Sequence, residues 1–142
     1  MKCNCDKNCG ELTGLAHIGI YTADIEKSIH FYRDVLGFEL FYTKEITTPS
    51  GTIQLAFVRT GSCIVELIQP AHAEEVEGKS NGVIDHIAIE AKDLDQLVCR
   101  LWDEGVAFET DHVTELPNLF NGVKNIFCKG PNGERLEFFE YK

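Results

Sequence analysis

The stretch Asp85-His86-Ile87-Ala88-Ile89-Glu90 nearly repeats Ala16-His17-Ile18-Gly19-Ile20 and sets a histidine at the same place in each copy. The two histidines are 69 positions apart, and Asp24 and Asp93, which open the segments that follow, are separated by the same 69. A shared offset across two features marks an internal duplication. Each histidine is followed, 49 or 51 residues on, by a glutamate inside an apolar run: Glu66 in Ile64-Val65-Glu66-Leu67-Ile68 and Glu137 in Leu136-Glu137-Phe138-Phe139. Two modules therefore each supply one histidine and one glutamate.

Working outward, Leu15 to Thr22 alternates as a strand, with Ile18 and Ile20 on one face and His17, Gly19 and Tyr21 on the other. Asp24 suits a helix N-cap. Ile25, Ile29, Tyr32 and Leu36 follow at helical spacing as far as Gly37. Strands are expected at Phe38 to Ile46, Ile53 to Thr60 and Cys63 to Gln69. The second copy restarts at Val83 to Ala91. Asp93 and Gln96 carry a capping-box spacing, and Leu94, Leu97, Val98, Leu101 and Trp102 form an apolar stripe ending at Gly105. Phe108 to Thr114, Val123 to Lys129 and Glu134 to Tyr141 complete its strands, with Pro131-Asn132-Gly133 as the tight turn before the last. The expected organisation is a Cys-containing disordered tail over residues 1–11, a first βαβββ module over 12–70, a charged linker over 71–81 and a second βαβββ module over 82–142. The expected fold class is α+β, a curled mixed sheet around a metal cavity.

A chain of 142 residues with a formal charge of −10 lacks the clustered Lys and Arg that nucleic acid or an anionic membrane requires, so a small-molecule partner is expected. No run approaches the roughly 18 apolar residues that span a bilayer, and a cytoplasmic location is expected. Cys63, Cys99 and Cys128 sit singly in apolar or amphipathic segments and read as structural thiols. Cys3, Cys5 and Cys9 have no companion Cys or His pair to close a zinc site. His30, His72 and His112 have no counterpart in the other module and read as surface residues.

A lone histidine in such a strand usually belongs to the core, and a lone glutamate between Val65 and Leu67 is expensive to bury. The duplication changes both readings. If the two sheets curl so that His17, Glu66, His86 and Glu137 face one point, two imidazoles and two carboxylates form a site for one divalent transition ion, Ni, Co or Zn first and then Fe or Mn. Four ligands leave positions open for water or substrate, which points to catalysis.

Residues 12–141 resemble the vicinal oxygen chelate superfamily, which includes glyoxalase I, methylmalonyl-CoA epimerase, extradiol dioxygenases and the fosfomycin and bleomycin resistance proteins. The resemblance is carried by His17-Ile18-Gly19-Ile20, Phe31-Tyr32-Arg33-Asp34-Val35-Leu36-Gly37-Phe38, Val65-Glu66-Leu67, Asp85-His86-Ile87-Ala88 and Gly130-Pro131-Asn132-Gly133-Glu134-Arg135-Leu136-Glu137-Phe138. All four ligand positions are filled, as in glyoxalase I. This implies a lyase or isomerase that moves a proton next to a carbonyl through a metal-bound enediolate, acting on a 2-oxoaldehyde thiol adduct. It also implies a homodimer. The superfamily pattern makes Glu137 the general base and Glu66 mainly a ligand. A sequence argument points the same way, since the last strand should be the easier one to shift.

Glutathione-using glyoxalases carry an arginine four residues after the first histidine and an asparagine four after the first glutamate. Tyr21 and Pro70 stand there, so the resemblance does not carry glutathione over. Glu66-Leu67-Ile68-Gln69-Pro70 is closer to the epimerases, and an isomerase acting on an acyl-CoA is the alternative. A third reading is a metal-free binding or resistance protein with Tyr21, Phe57, Phe120 and Phe139 as cavity walls.

Overall fold

The computed structural model describes Leu15, residues 17–79, Gly82, Ile84 and residues 86–142; the expected tail with Cys3, Cys5 and Cys9 lies outside them. The first module runs β1 (Ile18–Tyr21), α1 (Ile25–Ile29), β2 (Glu39–Thr48), β3 (Gly51–Thr60) and β4 (Cys63–Gln69). The second runs β5 (Ile87–Glu90), α2 (Leu94–Asp103), β6 (Thr114–Leu116), β7 (Val123–Lys129) and β8 (Arg135–Tyr141). Each module makes one four-stranded sheet, ordered β1-β4-β3-β2 and β5-β8-β7-β6. In each, the first strand runs parallel to the last and the other neighbours are antiparallel. The duplicated sequence is thus a duplicated α+β topology, and β4 and β8 are interior strands.

Side chains on a strand alternate between faces, and that alternation builds the core. Val65 and Leu67 of β4, with Val58 of β3, are buried on the helix side of the first sheet; Leu136, Phe138 and Ile126 do the same in the second. These residues, with Ile25 and Tyr32 from the first helical segment and Leu94 and Leu101 from α2, form one cluster spanning both modules. Full burial of each large aliphatic side chain contributes about 1.5–3 kcal/mol. The opposite faces are open, with Tyr21, Tyr42, Ile46 and Tyr141 all exposed.

Both helices are started by the strand that carries the module's glutamate. Gln69 Oε1 accepts from the Ile25 N–H at 2.7 Å, and Glu140 Oε2 accepts from the Leu94 N–H at 2.8 Å, each three residues past Glu66 or Glu137. Asp24 caps α1 as expected, its Oδ1 accepting from the Lys27 N–H at 3.1 Å. The expected capping box at Asp93 does not form. With Glu140 at that post, Asp93 adopts a left-handed backbone (φ 51°) and its side chain caps nothing. Beyond α1 the chain stays helical over His30–Val35 but in wider π turns, and Gly37 closes the segment at φ 86°.

Other expectations are corrected in detail. The strand expected at Phe108 to Thr114 is reduced to one bridge, Phe108 to Cys128. The regular strand begins at Thr114, because Thr110 Oγ1 donates to the His112 carbonyl and folds the polar Glu109–His112 stretch into a bend. Trp102 is exposed and stacks on Phe108 rather than entering the core. Cys99 is exposed. Cys128 is buried, and burial pushes its thiol up to about 12. Residues 71–79 of the expected linker hold a short 3₁₀ turn, Ala73–Val76. His30, His72 and His112 are exposed surface residues. Among the described residues no helix is long and apolar enough to cross a membrane.

Two hydrogen-bonded groups pin the modules together. Tyr32 Oη donates to Glu134 Oε1 at 3.1 Å, and Asn132 Nδ2 donates to Ser28 Oγ at 2.8 Å, both across about a hundred residues of sequence. Gly130 is required there, since a Cβ on it would run into the Glu134 carboxylate. Burial raises the Glu134 carboxyl above the ordinary glutamate range, and burial with the Glu134 charge raises the Tyr32 phenol well above its own.

Candidate metal centre

Parallel pairing of the first and last strands creates the site in each module. In the first, Gly19 lies opposite Glu66, so His17, two residues earlier on the same face, reaches the carboxylate: His17 Nε2 is 3.0 Å from Glu66 Oε2. In the second, Ala88 lies opposite Glu137, and His86 Nε2 is 3.1 Å from Glu137 Oε2. Each glutamate also faces a phenylalanine across its other neighbour, Phe57 and Phe127. Each histidine ring meets that phenylalanine edge to face, with centroids 5.7 and 5.4 Å apart. The two half-sites are built alike down to the ring that flanks them. They differ in shielding, since the Glu66 side chain keeps 17% exposure and Glu137 only 8%.

The structure therefore makes both expected His–Glu pairs but keeps them apart. Among the described residues no group of three or more His, Cys, Asp and Glu side chains gathers where one ion would sit. The reason lies in the packing. The sheets share a core through their helix faces, while both pairs stand on the opposite, open faces.

Each pair suits a metal. Ligand atoms about 2.1 Å from one ion and a right angle apart are about 3.0 Å from each other, and both N···O separations match that edge. A neutral imidazole nitrogen and a carboxylate oxygen are donors that divalent transition ions accept. His17 with Glu66, and His86 with Glu137, are the two donor pairs that could each contribute to holding an ion.

Two features were not read from the sequence. Asn125 of β7, itself buried, donates from Nδ2 to Glu137 Oε1 at 2.7 Å. The only sequence signal was a polar residue inside an apolar strand. A cavity of about 360 Å³ beside His86 is walled by Gly19, Tyr21, Lys79 and Glu134, with the Lys79 ammonium 4.5 Å over the Tyr21 ring. Lys79 falls in the segment expected to be a charged linker.

Comparison with known proteins identifies the family. Residues 14–138 match the family model described as the Glyoxalase/Bleomycin resistance protein/Dioxygenase superfamily. The chain is 35% identical to YwbC of Bacillus subtilis over 87% of its own length and 94% of that protein's. It is 31% identical to a lactoylglutathione lyase of Neisseria meningitidis over 90% of its length and 91% of the lyase. The fold superposes on the trypanothione-dependent glyoxalase I of Leishmania major with a TM-score of 0.71 at 22% identity, covering 91% of this chain and 87% of that one. Two βαβββ modules, each with a His–Glu pair on its open face, and a family match across both place this chain in the glyoxalase/bleomycin resistance protein/dioxygenase superfamily.

Proposed function

We propose that the protein is a metal-dependent, glyoxalase I-like lyase that moves a proton between carbons next to a carbonyl. The single observation that carries the reading is the pair of matched His–Glu couples, at 3.0 and 3.1 Å on equivalent strand positions. One couple offers two ligands, too few for a stable catalytic ion. Two couples offer four and leave positions for substrate oxygens.

Because the couples of one chain stand apart, the reading includes a homodimer. A two-fold axis sets His17 and Glu66 of one protomer against His86 and Glu137 of the partner subunit, twice over. The exposed Tyr21, Tyr42, Ile46 and Tyr141 give the open faces the apolar surface that such a contact buries. The bound ion, Ni, Co or Zn first and then Fe or Mn, would act as a Lewis acid that polarises a carbonyl and steadies negative charge developing on oxygen.

The chain's own residues do the rest. His17 and His86 are oriented by Phe57 and Phe127, and the strand pairing places a carboxylate beside each. Glu66 and Glu137 are the two carboxylates available to take a carbon-bound proton and return it to the neighbouring carbon. Phe57 and Phe127 flank the two pairs with apolar surface.

The substrate class proposed is a 2-oxoaldehyde thiol adduct. The test is elemental analysis of protein purified without added ions, followed by assay of methylglyoxal hemithioacetals. About one ion per chain and isomerisation support the reading. Metal with activity only on acyl-CoA epimers moves it to the epimerase alternative, and absence of metal moves it to a binding protein.

A further inference from the structure

The first helical segment and the connection after α2 enclose an open groove of about 450 Å³, and none of His17, Glu66, His86 and Glu137 lines it. Phe31, Val35, Val106 and Phe108 give it apolar walls. The only tryptophan of the chain, Trp102, is half exposed and stacks on the Phe108 ring with centroids 6.1 Å apart. The wall that presents His30, Phe31 and Val35 is the π-helical stretch, a backbone form that is rare and recurs at functional sites. Arg100 ties this wall to the facing one, since its Nη1 donates to the Val35 carbonyl at 3.0 Å and to Glu104 Oε1 at 2.8 Å. The groove is therefore built into the fold, with one wall from each module.

Charge around the groove is unevenly matched. Both acids that line it have an arginine partner: Glu104 has Arg100, and Glu109 accepts from Nε and Nη2 of Arg135, each at 2.8 Å. His30 at the rim faces Asp34 at 3.0 Å. Lys27 and Lys129, one from each module, line the same groove and have no acidic partner among the described residues. In a chain of formal charge −10, two cations left over beside aromatic walls complement an anion with an apolar body. We propose that this groove is a binding site for a small aromatic carboxylate, separate from the His–Glu couples, whose ring lies against Phe31 and Phe108 and whose carboxylate accepts from Lys27 and Lys129. The volume falls in the range of small-molecule sites, about 300–1,000 Å³, which likewise combine apolar walls with a few polar groups. A lysine ammonium is a point charge on a flexible stem, so two lysines from different modules can converge on one carboxylate. The proposal is independent of the metal reading and stands or falls without it.

The test titrates the full-length protein with phenylbutyrate and with phenylbutanol, its uncharged match. Calorimetry measures binding, and the emission of Trp102 reports occupancy beside Phe108. The acid should bind saturably and about tenfold more tightly than the alcohol, the scale of a hydrogen bond to a charged group. Lys27→Met and Lys129→Met, which keep an apolar stem at exposed positions, should each weaken the acid about tenfold and leave the alcohol unchanged. Ala107→Phe, which fills the groove, should weaken both ligands, whereas folded His17→Ala, altered on the open face, should weaken neither. Equal affinity for acid and alcohol, acid binding indifferent to both lysine substitutions, or acid binding lost in His17→Ala overturns the proposal. So does an absence of binding heat with the acid at millimolar concentration. Should Ala107→Phe fail to fold, the two lysine variants decide the matter.

Discussion

Tyr32 and Glu134, 102 residues apart in sequence, share a buried hydrogen bond of 3.1 Å where the first helical segment meets the last turn. Tyr32 is fully buried and Glu134 is 7% exposed. Breaking the pair from one side leaves a buried carboxylate oxygen without its donor. Tyr32→Phe should therefore destabilise the protein by about 1–3 kcal/mol, measured by urea unfolding at neutral pH.

The same carboxyl makes stability pH-dependent in a stated direction. Burial raises the Glu134 carboxyl in the folded protein above its unfolded value, so the fold binds that proton more tightly than the unfolded chain does. Its contribution is fully present below the ordinary glutamate value near 4.5 and is lost as pH rises through the raised folded value. Glu134→Gln removes this dependence. The stability of wild type minus that of Glu134→Gln should fall as pH rises from about 4.5 toward neutrality. A difference that is flat or that rises with pH would contradict the assignment.

Gly130 faces the Glu134 side chain at a distance no Cβ tolerates. Gly130→Ala should expel the carboxylate from its pocket and cost about 1–3 kcal/mol by overpacking. It should also lose most of the pH dependence that the buried Glu134 confers. Thermal unfolding of Gly130→Ala in the Glu134→Gln background shows whether the two effects share one cause, since coupled sites are non-additive.

The proposed shared-site dimer predicts complementation. His17→Ala and His86→Ala homodimers should each lack every intact site. Their heterodimer has one intact site, built from His17 of one chain and His86 of the other. Mixing equal amounts after unfolding and refolding should recover about a quarter of the wild-type metal content, because half the dimers are mixed and each has one good site of two. No recovery, with a dimeric mass in sedimentation, would place both couples of a site in one chain.

The helix starts are held by side chains from the strands. Gln69→Ala and Glu140→Ala each remove the acceptor for the first amide of a helix, at 2.7 and 2.8 Å. Each should cost about 0.5–2 kcal/mol in chemical denaturation, the usual scale for a lost cap. Asp93→Ala, whose side chain caps nothing, should cost less than Glu140→Ala.

What the sequence determined by itself was the duplication and its consequences. His17 and His86 at one offset, Glu66 and Glu137 near the next, and period-two alternation around each decided the two βαβββ modules, the face each of these four residues stands on and the family. These properties are local: a strand assigns its faces by counting, so neighbours in sequence suffice. The tertiary structure decided what depends on contacts between distant segments. Parallel pairing of β1 with β4 and of β5 with β8 turned the histidines and glutamates into couples at 3.0 and 3.1 Å. Burial of the helix faces in one common core left those couples on separate open faces instead of gathering the four side chains at one point in one chain. Asn125 on Glu137, Tyr32 on Glu134 and Glu140 on the start of α2 arise the same way, because a side chain's partner across a sheet or between modules is set by register and packing that no local pattern encodes.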